Sequence, residues 1–258
     1  MIKRQGKKTL SFALGMALYN FLLIGVFPSL SKSEGIARLS DNLPKLGKLF
    51  GVASGGGLDR FEAYVSSQCF GQVWLLVMGI YTICSADELI AQLVDNGSMA
   101  YLLSSPAGRL KVFTTQTAVL LSGLILMILL TELAIWGEMS VFNISLERWP
   151  SFPLGVLGLA LFLTIGSYSF LFSALFNDEE SVVLWASGLT FLYYVLDVLS
   201  GLDERFASFK DLTIFGFFRP QQVLEGEMPV KQTFSLFGLS MVFLITAGYI
   251  FTKKDLVI

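Results

Sequence analysis

The sequence predicts an all-α polytopic membrane protein with six transmembrane helices. Six stretches carry no charge at all: 10–30, 65–86, 112–131, 149–177, 181–196 and 232–252. A bilayer core of roughly 30 Å needs about 20 apolar helical residues, and five of the six stretches reach that length alone. A helix on the surface of a soluble core would show charge at every turn, and these show none. Composition agrees, at 54% hydrophobic residues and a mean hydropathy of +0.68.

The expected spans are 10–30, 65–86, 112–136, 153–176, 181–199 and 233–252, in a single transmembrane domain over 1–258. The first follows a basic run (Lys3, Arg4, Lys7, Lys8) that resembles the start of a signal peptide. Its apolar part is longer than a signal core and closes on no small-x-small site, so a retained helix is expected. Between spans one and two, Ile36, Leu39, Leu43 and Leu46 recur at three- and four-residue steps around Pro44, ahead of Gly55–Gly57. That pattern predicts an amphipathic segment outside the bilayer.

Span two holds both cysteines, Cys69 and Cys84. Fifteen residues of helix would part them by about 22 Å, too far for a disulfide. Glu132 in span three and Asp197 at the end of span five are the notable ionisable groups, weak candidates for substrate contact. Both are expected near an interface, which favours solvated or partnered structural roles. In span four, Gly155, Gly158, Gly166, Ser169 and Ser173 allow close helix approach, within the chain or between two copies. Span five reaches full length only by including Asp197. After it, Leu202, Phe206, Phe209 and Leu212 repeat at helical steps before the aromatic Phe215, Phe217 and Phe218. This suits either an interfacial or re-entrant helix or a loop folded over the span ends.

An even number of spans puts both termini on one side. Basic residues before span one and Lys253–Lys254 after span six argue that this side is the cytoplasm. The raw count of Lys and Arg opposes this, at 8 inside and 10 outside of 18. The outer ones apart from Arg148, however, are spread over two long loops, and the rule weighs short loops and flanks most. No histidine is present, which removes the commonest general base and metal ligand. Net charge of −2 leaves no footprint for nucleic acid. A phosphate-cradling loop is also missing, since Gly6-Lys7-Lys8-Thr9 lacks the first glycine.

Between spans two and three, Asp95, Asn96 and Gly97 predict a turn, followed by a short helix, 98–103, that Pro106 stops. Met99, Leu102 and Leu103 share one face of it. Such a face either docks on a partner or packs on its own bundle.

This loop resembles the signature of the ABC-2 family of transporter permeases: Ala-x-x-Leu-Ile-Ala at the span end (Ala86, Leu89, Ile90, Ala91), an acidic turn, then Gly-Ser-x-x-Tyr-Leu-Leu-Ser-x-Pro-x-x-Arg. Gly97, Ser98, Tyr101, Leu102, Leu103, Ser104, Pro106 and Arg109 fit it. The resemblance extends along essentially the whole chain, to the Phe251-Thr-Lys-Lys-Asp-Leu256 close. Members often carry a basic residue where this chain has Asp95–Asn96.

The resemblance implies the membrane subunit of an ATP-driven exporter in the cell membrane. It implies a short cytoplasmic coupling helix that meets the ATPase through Asp95, Gly97, Ser98, Met99, Tyr101, Leu102, Leu103, Pro106 and Arg109. Two separate ATPase subunits would bind ATP and Mg, and a second permease, identical or homologous, would complete the complex. The chain itself is then no enzyme and binds no cofactor or metal; its cargo would be an amphipathic drug, peptide or lipid. An ion-coupled transporter or channel acting alone is the alternative. It would need buried coupling charges, and the expected span centres contain none.

Overall fold

The computed structural model describes residues 2–30, 69–99, 102, 108–142, 151–202, 204–224 and 228–254. Its helices are α1 (Ile2–Leu30), α2 (Gln72–Leu89), α3 (Ala91–Asp95), α4 (Arg109–Val141), α5 (Ser151–Leu175), α6 (Glu179–Leu202), α7 (Pro220–Leu224) and α8 (Val230–Lys253). Two 3-10 stretches, Glu204–Leu212 and Phe215–Phe217, follow α6. The described residues contain no strand. Among the described residues six helical segments, α2 and α3 counted as one, are long and apolar enough to cross a bilayer. This is an all-α polytopic membrane protein.

Helix α5 is the centre of the bundle and packs on α2, α4, α6 and α8. About 78% of its apolar stretch is buried, against 11% for α6. The small residues of α5 make this possible, and their contacts lie within the chain. A Cβ at Gly158 would stand 2.8 Å from Trp74 Cη2, and one at Gly166 would stand 2.6 Å from Leu120 Cδ2. Hydrocarbon offers no partner for a hydroxyl, so each must be satisfied internally. Ser169 donates to Ile165 O (2.8 Å), Ser173 to Ser169 O (3.0 Å) and Thr164 to Ala160 O (2.8 Å).

Several expected boundaries move. Of span two, residues 69–71 are turn and bend and helix α2 starts at Gln72, while residues 65–68 lie outside the described residues. Cys69 therefore precedes the helix instead of lying in it; both cysteines are free. Span three runs on to Val141, which makes α4 33 residues, about 50 Å long. That exceeds the bilayer core, so α4 must tilt or project beyond it. Helix α6 spans 24 residues and carries Asp197 inside it. The amphipathic segment expected around Ile36–Leu46 and the Gly55–Gly57 joint lie outside the described residues.

The segment after α6 folds over the span ends, and its backbone is 3-10 where an α-helix was one expectation. Three residues per turn eclipse Phe206 and Phe209, whose rings stack at 5.6 Å. Beyond them Ile214, Phe215 and Phe218 turn inward and are buried. Phe218 stacks on Trp74 with ring centroids 5.5 Å apart, and Phe162 meets the same indole edge-on at 5.0 Å. These rings close the bundle at the end opposite the α1 N-terminus.

Candidate functional site

Polar side chains gather at the other end of the bundle, where α1, α4 and α6 begin and α2, α5 and α8 finish. They form a belt that joins all six spans. Lys8 on α1 pairs with Glu88 on α2 at 3.3 Å. Beside this pair, Thr9 and Tyr81 share a hydrogen bond of 2.8 Å. Because Thr9 donates its proton to Gln5 O, Tyr81 is the donor. The carboxyl group of Asp87, which is buried, lies against that of Glu179 at the start of α6. Gln92 on α3 also donates to Glu179 Oε1, at 3.3 Å.

The belt continues through basic residues that cap the C-termini of neighbouring helices. Arg109 stands at the first position of α4, where its charge opposes the helix dipole. Its guanidinium instead donates to Lys254 O at the end of α8, 2.5 Å away. Lys254 in turn donates through Nζ to Phe176 O, just past α5, at 2.7 Å. Unpaired carbonyls at helix ends attract cations, so each contact satisfies a carbonyl and a charge together. Burial lowers the Lys254 pKa, partly offset by Asp178. Asp178 itself accepts from the Ser181 N–H at 2.8 Å, and that hydrogen bonding holds its carboxyl below the usual range.

The loop between α2 and α4 rises from the middle of this belt. Its helix breaks at Ile90 (φ −130°, ψ −64°), resumes as α3, and ends at Asp95. Gly97 has φ +67° and its N–H donates to Val94 O at 3.0 Å, a left-handed cap that suits glycine. Asp95, Asn96 and Gly97 are exposed and Ser98 is half-buried. Met99 is not on an exposed face: it is 1% exposed and belongs to the chain's own core, with half-buried Leu102 packed beside it. The bundle-packing alternative therefore holds for these two residues. Tyr101, Leu103 and Pro106 lie outside the described residues.

Known families, characterised proteins and solved structures contain no match to this chain. Its site is read from its own geometry.

At the far end, the two weak candidates separate. Asp197 sits within electrostatic reach of Lys210 and Arg219 from the folded-over segment. Arg219 is held by its own donation to Gly216 O at 3.0 Å. Asp197 thus has cationic neighbours, as a structural anchor requires. Glu132 is half-buried on α4, with nine residues of helix still to follow. It therefore lies deeper than its expected place near the interface.

Glu138, one and a half turns further along α4, was not singled out by the sequence. It is buried, and its Oε2 has no hydrogen-bond partner among the described residues. The apolar Leu133, Trp136 and Val141 around it could have signalled that the span continues. Among the described residues no group of three His, Cys, Asp or Glu side chains could hold a metal ion.

Proposed function

We propose that this chain is the membrane-spanning subunit of an ATP-driven exporter of the ABC-2 permease kind, lying in the cell membrane with both termini in the cytoplasm. In this reading two ATPase subunits, which bind ATP and Mg, drive a pair of permeases. The second permease is a copy of this chain or a homologue. The cargo is amphipathic: a drug, a peptide or a lipid.

The observation that carries the reading is the Asp95–Gly97 turn, exposed on its outside and rooted in the belt beneath. Force applied to the turn passes through α3 and Gln92 to Glu179 on α6, and through Met99 into the core. From α6 it reaches α8 and α4 by way of Phe176, Lys254 and Arg109. A network of this kind moves helix ends together, as a rigid-body switch between inward- and outward-open states demands. The thinly covered α6, with Leu184, Trp185, Phe191 and Leu192 exposed, offers an apolar face for a second permease. A tagged chain should co-purify with an ATPase subunit and change its rate of ATP hydrolysis. Failure of every ATPase subunit of the host cell to co-purify would defeat the proposal.

Buried Glu138 favours a second reading, the ion-coupled transporter, because a buried carboxylate oxygen with no hydrogen-bond partner among the described residues is the kind of group such coupling needs. Export that persists without any ATPase subunit but is lost in Glu138→Gln would select it.

A further inference from the structure

A slot of about 420 Å³ opens sideways between α1 and α2. It is lined by Ser11, Phe12, Gly15, Met16 and Tyr19 from α1 and by Val73 and Val77 from α2. It exists because α1 leans mainly on α4 instead of α2. A Cβ at Gly15 would meet nothing within 4 Å, so a larger side chain there has room to enter the slot. From Ser11 to Tyr19 the slot runs eight residues, about 12 Å along the helix. That stretch lies within the apolar part of a membrane span, where the surrounding medium is lipid hydrocarbon.

One turn before Ser11, on the same flank of α1, stands Lys7. It is exposed and has no ion-pair partner among the described residues, whereas its neighbour Lys8 is held by Glu88. That pair belongs to the polar belt, so Lys7 stands at headgroup level. An apolar slot with a cation at its polar mouth matches an anionic amphiphile in shape and charge. We propose that this slot holds the acyl chain of an anionic phospholipid whose phosphate meets Lys7.

The test uses the full chain purified in an uncharged detergent, with phosphatidylglycerol and phosphatidylcholine added in equal amounts. Native mass spectrometry counts the lipid retained. Wild type should retain phosphatidylglycerol about fivefold over phosphatidylcholine, the gain of one basic residue near an anionic headgroup. Lys7→Gln should bring the ratio close to one while lipid is still retained. Gly15→Leu and Ser11→Leu each fill the slot and should release both lipids; if only one of them yields folded protein, that one decides. Gly238→Leu on α8, also in open space, should behave as wild type. Retention unchanged in the slot-filling variants, or lost equally in Gly238→Leu, overturns the site. An unchanged ratio in Lys7→Gln overturns the headgroup assignment.

Discussion

Lys8 and Glu88 meet at 3.3 Å across α1 and α2, eighty residues apart, with both side chains largely shielded from solvent. The pair ties the basic run that opens the chain to the acidic end of the second span. Removing one partner leaves the other charge poorly solvated. Glu88→Gln should therefore lower stability by about 1–2 kcal/mol, between the values for exposed and buried pairs. Thermal unfolding in detergent measures this, and Lys8→Glu with Glu88→Lys should recover part of the loss. No recovery would mean that the pair is incidental.

Close approach to α5 makes a second prediction. Gly158→Ala sets a methyl group 2.8 Å from Trp74 Cη2 and should cost about 1–3 kcal/mol through overpacking. Gly238→Ala on α8 meets nothing within 4 Å and should be neutral or stabilising by up to about 1 kcal/mol, the helix preference of alanine. Equal melting temperatures for the two variants would show that α5 is not tightly seated on Trp74.

The orientation of the bundle is open to labelling. In a background without Cys69 and Cys84, Lys45→Cys should react with an impermeant thiol reagent added to intact cells. Reaction only after the cytoplasmic face is exposed would reverse the proposed topology and place the Asp95–Gly97 turn outside the cell.

The burial of Met99 changes which substitutions probe coupling. Met99→Asp and Leu102→Asp place a charge against the chain's own core and should destabilise the subunit itself, by several kcal/mol for Met99. Asp95→Lys is exposed and should leave the melting temperature unchanged. It should lower the ATP hydrolysis that the partner shows in the complex, by reversing charge at the proposed contact. Gly97→Val strains a residue at φ +67° by roughly 1–2 kcal/mol and should also weaken coupling. Full coupling in both variants would remove the turn from the mechanism.

The sequence by itself determined the number of spans, because charge-free length is a local property and the bilayer imposes it. It also determined the turn at Asn96–Gly97, since glycine tolerates the left-handed cap that ends α3. Only the tertiary structure decided where the apolar faces go. Met99 and Leu102 share a face in either case, and the same spacing serves a docking helix or a core helix. The belt was equally hidden: Arg109 and the Lys254 carbonyl lie 145 residues apart, and no local pattern announces that one helix start will cap another helix end. Glu138 escaped for a related reason. A carboxylate reads as the end of an apolar run; Leu133, Trp136 and Val141 signal only that the helix goes on, and the burial of Glu138 is set by neighbouring helices.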